Sequence, residues 1–456
     1  MHNGKRVIAL CSAKLNEQFN LKLLNRVIKE LQYSGHYVLV FGLDSDLYYM
    51  SASDFGDVSI FNLMSYKTID MVMIFTETML NDEPIADILM GAGDAKIPVV
   101  SIGREISGCY NIVWDTASSF EQIVRHIVEY HGMREVNFIA GMKDNVISEK
   151  RLDIYRTVLD DNDILYEEDR VGYGDFWAGP TREVMERFMS PDKVPPEAII
   201  CANDSMAIAA TDFLKERGVK VPEEILVTGI DGIEEGVLHY PGITTAIRDD
   251  VNDAKKIVMQ VNTILDGGTV AALTELEYRI CLSQSCGCQK THIFDMNKIL
   301  TNLNTEIAAY RFDLPHFREM QEAFLACEDD KKFQKVLEEY MPNEAFICIN
   351  EDLHIKDGKE NPHTYNEAAF TPKLRTVIKR DNKISYSECF LENMIPEAAK
   401  NETANNAVLL LPIHYIDRVV GFLGVWRETV LDSDMFRILH FLLAMDCSAA
   451  LLLSQK

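Results

Sequence analysis

Short apolar runs alternate with helical patterns along roughly the first 290 residues. RVIALCS, HYVLVFGL, IDMVMIF and IPVVSIG are short apolar runs typical of buried strands. Between the first two, NLKLLNRVIKELQYSG places Leu24, Val27, Ile28 and Leu31 at helical spacing and ends at Gly35. Strands that alternate with helices predict a parallel, doubly wound sheet.

A second series of the same kind begins at NIVWD, residues 111–115. Its strands are VNFIAG, AIICAND and ILVTGID, and helical patterns stand between them. The helix SSFEQIVRHIVEYHG is expected to be capped by Ser118 or Ser119. The pattern predicts two similar α/β lobes, with the chain crossing between them near 104–111, 240–248 and 272–282. Lobe one then covers about 5–104 and 248–272, and lobe two about 111–240 and 273–285.

The pattern changes after SQSCGCQ. A connecting segment at 292–324 begins with a predicted helix, whose apolar residues follow a heptad-like spacing: Met296, Leu300, Leu303, Ile307 and Tyr310. Either this face packs on its own domain or it contacts a second copy of the chain. The pattern of residues 325–456 predicts a smaller α+β region, with two strands joined by a turn around Tyr415–Arg418. It closes with an apolar helix (SDMFRILHFLLAMDCSAALLL), which suggests a dimer contact or an attached segment.

Composition excludes several classes of protein. The formal net charge of -26 argues against direct DNA binding, because that affinity comes mainly from Lys and Arg on phosphates. The ten cysteines are dispersed in a chain of 456 residues, which favours free thiols in a reducing compartment. The apolar stretch near the N-terminus is too short for a secretory signal, and no stretch is long enough for a membrane span. We therefore expect a soluble, cytoplasmic protein.

Three polar residues follow strands or begin helices in the second series: Arg151, Asn203 and Asp231. In an open α/β sheet, ligands bind outside the carboxyl ends of the strands, so these side chains are expected to meet at one small-molecule site. Guanidinium, amide and carboxylate groups together suit the hydroxyls of a sugar. The alternatives are an exposed helix residue for Arg151, a helix cap for Asn203 and a loop turn for Asp231. We assign the cap of the following helix to Asp204 and expect Asn203 to face the ligand.

Aromatic residues in GYGDFWAG add a further candidate. Phe176, and less so Trp177, could stack on the apolar face of a pyranose, although such rings are more often plain packing.

Signals for catalysis or metal binding are weak. GAGDAK lacks the GK[ST] ending of a phosphate loop, and no GxSxG or HExxH motif is present. CLSQSCGC holds Cys281, Cys286 and Cys288, but a tetrahedral zinc site needs a fourth ligand at regular spacing, and His292 is merely nearby. We therefore predict no catalytic residue, no metal and no cofactor.

These segments, in this order, resemble the effector-binding core of the LacI/GalR family, which has the type I periplasmic-binding-protein fold. The resemblance covers about residues 5–285 and is most specific in ANDSMAIAATDFLKERGVKVPEEILVTGIDG and PGITTAIRDD. It implies a ligand between two lobes, held by Arg151, Asn203 and Asp231. By the same resemblance, Phe176 is a stacking ring, and Arg248, Ser12 and Phe19 are further pocket residues. The family often has Asp where IPVVSIGR has Gly103, so the ligand is expected to differ from a standard hexose.

The resemblance also predicts how the chain is used. The family's helix-turn-helix headpiece is expected to be absent, since the first strand starts at Arg6. LLLPIHYIDRVVGFLGVW with a terminal helix resembles a GAF domain, here from about 325 to 456. The combination is similar to the input half of bacterial diguanylate cyclases or AraC-type regulators.

We thus expect a sugar sensor in a homodimer, in which closure of the lobes is relayed to the GAF-like domain. The alternatives are a solute-binding protein for transport, the input region of a truncated diguanylate cyclase, or an enzyme that has lost a catalytic module.

Overall fold

The computed structural model describes residues 6–15, 18–45, 47–48, 50–289, 296–327, 330–353, 363–395, 407–426, 438 and 441–446. It divides into two compact units. The first comprises Met1–Val113, Asp250–Thr274 and Asn297–Lys456, and the second comprises Trp114–Asp249 and Glu275–Met296. The lobe boundaries predicted from the sequence remain predictions.

The first unit is built on a parallel sheet, as the alternation of strands and helices predicts. Its strands are β1 (Val7–Ser12), β2 (Tyr37–Gly42), β3 (Met71–Phe75), β4 (Val99–Ile102) and β5 (Tyr110–Asp115), in the order β5-β4-β3-β1-β2. The nearby helices are α1 (Gln18–Tyr33), α2 (Ala52–Val58), α3 (Asp82–Ala95) and α9 (Asp250–Leu265). β1, β3 and β4 are buried throughout, which explains their continuous apolar sequences.

The second unit carries a four-stranded parallel sheet of its own. Its strands are β6 (Val136–Ala140), β7 (Val171–Tyr173), β8 (Ala198–Cys201) and β9 (Leu226–Thr228), in the order β7-β6-β8-β9. β10 (Thr245–Ile247) pairs antiparallel with β12 (Arg279–Cys281). The helices are α4 (Thr116–Arg125), α5 (Val146–Asp161), α6 (Ala178–Phe188), α7 (Asp204–Glu216) and α8 (Glu234–Leu238).

The C-terminal residues extend the sheet of the first unit. β13 (Ala345–Asn350), β14 (Lys373–Arg380), β15 (Lys383–Phe390), β16 (Ala407–Tyr415) and β17 (Arg418–Trp426) form antiparallel pairs, and β16 runs parallel beside β2. With β11 (Leu273–Glu277) beyond β5, the sheet has eleven strands. The first unit includes Asn297–Lys456, and the predicted domain at 325–456 and its GAF-like identity stay predictions.

The connecting helix and the terminal helix are described in part. α10 (Met296–Leu325) covers the segment with heptad-like spacing, and α11 (Asp330–Tyr340) follows. On α10, Leu300 and Ile307 are half exposed, at 50% and 49%, while the side chains of Met296 and Tyr310 lie outside the described residues. Of the predicted terminal helix, only residues 438 and 441–446 are described, and they are helical.

Two composition-based expectations can be compared with the described residues. Nine cysteines in them are free thiols, whereas Cys447 lies outside them. No helix in the described ranges is long and apolar enough to cross a membrane.

Candidate functional site

Charged and polar side chains of the second unit meet near the carboxyl ends of β8 and β9. Ala202 and Asn203 follow β8, and Asp231 lies three residues beyond the end of β9. Arg151 lies in the second turn of α5, which follows β6, the neighbour of β8. The parallel register brings the ends of these strands to one edge, so the prediction that these residues share one site is consistent with the geometry.

Arg151 is buried, with a side chain that is 8% exposed. Its Nη1 donates to the carbonyl of Ala202, its Nη2 lies 3.8 Å from Asp231 Oδ1, and its guanidinium carbon lies 5.9 Å from the centre of the Phe120 ring. The alternative of a solvent-exposed helix residue is therefore wrong. Burial lowers the pKa of Arg151, while the charge of Asp231 opposes that shift. A buried cation whose ion-pair partner lies as far as 3.8 Å away is well placed to receive a polar ligand.

Asn203, and not Asp204, caps α7, which corrects the assignment made from the sequence. Its side-chain oxygen accepts from the Met206 amide at 2.9 Å, and its Nδ2 donates to the Phe176 carbonyl at 3.1 Å. The cap lies one residue earlier than expected, so Asn203 has the extended backbone of a cap and Asp204 lies in the first turn. Asn203 thus ties the turn after β8 to the aromatic loop, and it contacts a ligand only by giving up one of these bonds.

Asp204 is a site residue whose role the sequence did not reveal. It is fully buried, and its Oδ2 accepts from the amides of Gly232 and Ile233 and from the hydroxyl of Thr245, at 2.8, 3.0 and 3.0 Å. Burial raises the pKa of Asp204 to about 7, and the hydrogen bonds oppose this shift. The carboxylate therefore clamps the turn that carries Asp231. Its position after Asn203 was the only signal in the sequence, and it pointed to a helix cap.

Asp231 combines an unusual backbone with an accessible carboxylate. Its φ is +133°, in a region that L-residues other than glycine rarely adopt, and its side chain is 40% exposed. Although part of the side chain reaches solvent, desolvation by the surrounding protein raises the pKa of Asp231 to about 6, and the charges of Arg151 and Arg248 oppose this shift. At neutral pH the group is still mostly a carboxylate, able to accept hydroxyl hydrogens.

The aromatic loop is fixed against the end of β6. Phe176 has a φ of +63°, and its ring covers Gly141, where a Cβ atom would come within 2.0 Å of the ring. The ring also packs against the core of the second unit, so plain packing accounts for part of its burial. Trp177 is 66% exposed. A stacking role for either ring stays a prediction.

Arg248 directly follows β10 and is buried. Its guanidinium carbon lies 4.9 Å from the centre of the Trp114 ring, a cation–π contact. Because its charge lowers the pKa of Asp231, it belongs to the same electrostatic group. Arg151, Asp231 and Arg248 therefore form a cluster with an excess of positive charge.

The remaining candidates belong to the first unit. Ser12 ends β1, is buried and donates its hydroxyl to the Ala13 carbonyl at 3.3 Å. Phe19 lies in α1, but its side chain is outside the described residues. Gly103 has a φ of +110°, and a Cβ there would lie 2.6 Å from Glu77 Cβ. This backbone accepts glycine and disfavours the Asp of the LacI/GalR pattern.

The second unit also holds a set of residues that could bind a metal ion, away from these side chains. His126, His131, Cys286 and Cys288 bring their ligand atoms within 4.8 Å of one another. The sequence pattern predicts no metal here, and His292 is noted only as a nearby histidine; His292 lies outside the described residues.

Comparison with known proteins agrees with this geometry. Residues 124–286 match the model of a periplasmic binding protein-like domain. The repressor PurR of Aliivibrio salmonicida is 23% identical over 185 residues, which are 40% of this chain and 54% of PurR. The regulator AscG of Escherichia coli is 27% identical over 199 residues, 44% and 58% of the two chains.

The chain spans about half the length of the curated relatives it matches. A regulatory protein of the LacI family from Chloroflexus aggregans superposes with a TM-score of 0.50 at 18% identity, covering 62% of this chain and 98% of that one. That likeness shows the fold alone. The expectation of a periplasmic-binding-protein-like α/β domain is confirmed, and the curated relatives are transcriptional regulators.

Proposed function

We propose that the chain is a sensor that binds a small polar ligand, a sugar by the chemistry of the site, and regulates transcription or signalling. Support comes from the cluster of Arg151, Asp231 and Arg248 at the carboxyl edge of the second sheet. The single observation that carries the proposal is Asp231, a partly exposed carboxylate on a strained backbone beside a buried guanidinium. Strained residues of this kind concentrate at functional sites.

The cluster favours binding over catalysis. A carboxylate accepts hydroxyl hydrogens, and a guanidinium donates in a fixed fork, so together they can hold adjacent hydroxyls of a sugar. Among the residues of the cluster none is a Ser, Cys, Lys or His that could serve as a nucleophile or general base. Asp231 is a candidate base, but Arg151 offsets part of its charge, and the neighbouring Asp204 is held by three hydrogen bonds.

Relay to the C-terminal residues is part of the proposal. The family resemblance implies closure of two lobes on the ligand, and a ligand shifts such an equilibrium only by its differential affinity for the two states. Within the first unit, β16 pairs with β2 from Ala407↔Val38 to Leu410↔Phe41, which joins the GAF-like region to the ligand-sensing fold by main-chain hydrogen bonds. A shift in β2 would therefore displace β16 as well.

A homodimer is also proposed, through α10. Leu300 and Ile307 lie seven residues apart and are both half exposed, as expected for one face of a helix that meets its copy. Sedimentation of the wild-type chain and of the Leu300→Glu, Ile307→Glu double variant tests this. The wild type should be dimeric and the variant monomeric; an unchanged dimer would assign the interface elsewhere.

Calorimetry of the purified chain against a panel of sugars and other small polar metabolites tests the sensor itself. For the ligand found, Arg151→Ala and Asp231→Asn should each cost roughly 1.5–3 kcal/mol, about a ten- to hundredfold loss of affinity, because each removes a charged hydrogen bond. The matched controls are Arg156→Ala and Asp153→Asn on α5, whose side chains are exposed.

The pH profile adds a second readout. With the pKa of Asp231 at about 6, affinity should fall as pH drops through 6, and Asp231→Asn should remove that dependence. Full affinity in the two site variants would remove these residues from the site.

A further inference from the structure

Two histidines and two cysteines of the second unit converge on one point, although they are far apart in the sequence. His126 and His131 follow α4, whereas Cys286 and Cys288 follow β12 about 160 residues later. Cys286 is fully buried, and the other three are partly buried. His131 lies five residues before the start of β6, whereas Arg151 lies beyond the end of that strand.

A helical irregularity brings the two histidines together. Residues His126–Tyr130 form a π-helical turn, and the His131 amide donates to the His126 carbonyl at 3.1 Å. In a regular α-helix, positions five apart point in clearly different directions, but a π turn aligns them. Turns of this kind occur often at functional sites. The Nε2 atoms of the two rings are 3.1 Å apart, and the rings are perpendicular.

A glycine turn brings the two cysteines to the same side. The short 3-10 turn Gln284–Cys286 ends at Gly287, which has a φ of +81° and lets the chain reverse between Cys286 and Cys288. Cys286 Sγ lies 3.8 Å from His126 Nε2. Cys288 Sγ lies 3.4 Å from the Nε2 atoms of both His126 and His131.

These distances match a tetrahedral zinc centre. With Zn–S near 2.3 Å and Zn–N near 2.0–2.1 Å, ideal geometry separates two nitrogens by about 3.3 Å, nitrogen from sulfur by about 3.5 Å, and two sulfurs by about 3.8 Å. The nitrogen–nitrogen separation of 3.1 Å and the nitrogen–sulfur separations of 3.4, 3.4 and 3.8 Å fall close to these values, and all four ligand atoms lie within 4.8 Å of one another. A set of two thiolates and two imidazoles is typical of structural zinc and unfavourable for Mg²⁺ or Ca²⁺.

Packing without a metal is a weaker account of the same contacts. It satisfies the cysteines in part, since the Cys286 thiol can donate to the Ser283 carbonyl at 3.3 Å. However, two Nε2 atoms that face each other at 3.1 Å need a proton between them, and both sulfurs lie within 4.8 Å of both nitrogens. A metal ion would use all four lone pairs at once. The Thr244 hydroxyl, which donates to Cys286 Sγ at 3.0 Å, would then support a thiolate ligand.

We propose that His126, His131, Cys286 and Cys288 bind one structural zinc ion, which fastens the segment after β12 to the end of α4. All four ligands come from the protein, so the site is closed and has no open position for catalysis. Cys288 stands eight residues before Met296, where α10 begins. The zinc therefore fixes the last part of the second unit before the chain enters the connecting helix.

Elemental analysis of the purified full chain should find one zinc per chain. Cobalt in its place should give the visible bands of a tetrahedral centre and a thiolate-to-cobalt charge-transfer band. In competition with a chelator, Cys288→Ser and His131→Asn should each weaken zinc binding by more than about 100-fold. Losing a hydrogen bond to a ligand typically weakens metal binding by only 10–100-fold. Thr244→Val, which removes the hydroxyl, should show this smaller loss, and Thr244→Ser, which keeps the hydroxyl, should not.

The control variants are Cys281→Ala, a buried cysteine on β12, and His292→Ala, and both should keep the metal. The cobalt spectrum of the wild type requires no variant to fold, so it tests the site on its own. A wild type that binds no zinc or cobalt, an octahedral spectrum, or equal metal loss in the controls would overturn the proposal. None of these readouts uses a ligand of the sensor site, so the two proposals can fail separately.

Discussion

The strained backbone at Asp231 makes an unusual prediction about glycine. At an ordinary position, replacing alanine by glycine costs roughly 0.5–1 kcal/mol, because glycine loses more conformational freedom on folding. At Asp231 the φ of +133° falls where a Cβ atom is disfavoured, and such residues cost about 1–3 kcal/mol. Asp231→Gly should therefore be more stable than Asp231→Ala.

Comparing these two variants cancels the electrostatic terms, because both lose the carboxylate. At 3.8 Å the attraction between Arg151 and Asp231 is about 1 kcal/mol in water and about 4 kcal/mol at an effective dielectric of 20. The exposure of Asp231 favours the lower figure, but either value is the same in both variants. Strain relief minus the entropy of glycine leaves an expected advantage of about 0.5–2 kcal/mol for glycine.

Urea unfolding followed by tryptophan fluorescence can measure this difference. Trp114 and Trp177 belong to the second unit, and Trp426 belongs to the first, so a Trp426→Phe background reports mainly on the unit that carries Asp231. The control is the same pair of substitutions at Asp153, an exposed position in α5. There alanine should be better by about 1 kcal/mol. If alanine is also better at Asp231, the argument from strain is refuted.

Three further changes test the surroundings of the site and the first unit. Asp204→Ala should cost about 2–4 kcal/mol of stability in the same fluorescence assay, because three donors lose their shared acceptor. Gly103→Asp should lower the melting temperature, because a residue with a Cβ is strained at a φ of +110° and the new Cβ would clash with Glu77. The control is Gly93→Asp on α3, where a Cβ has open space. Burial would lower the pKa of His414, but its bond to Asp57 helps raise that pKa to about 9. This stabilisation is complete below about pH 6.5 and is lost as pH rises through 9, so the melting temperature should fall over that range, less so in His414→Gln.

The strands of both sheets could be predicted because they are short, apolar and separated by helical patterns. Arg151, Asn203 and Asp231 could be chosen for the same reason, since residues after parallel strands share one edge. Which of Asn203 and Asp204 caps the helix could not be predicted from the sequence. Either residue type caps helices well, and the choice depends on where Gly232 and Ile233 place their amides, which is a tertiary contact.

Two other features also depend on tertiary contacts and could not be predicted from the sequence. The HxxxxH spacing of His126 and His131 fits no regular helical face, and only the π turn makes it meaningful. β16 pairs with β2, although the two strands are more than 350 residues apart in the sequence. The apolar pattern of β16 would be the same if it were the edge strand of a separate domain. Apolar alternation predicts that a strand is buried, but it does not name the partner.

Hydrogen exchange in the presence of a saturating ligand tests the central claim most directly. If the carboxyl edge of the second sheet is the binding site, peptides covering 202–204 and 229–235 should exchange more slowly with ligand, and Asp231→Asn should require about ten- to hundredfold more ligand for the same protection. A peptide from the outer part of α5, around Asp153, should be unchanged. Protection that leaves both edge peptides unaffected while slowing exchange elsewhere would contradict the assignment of this site.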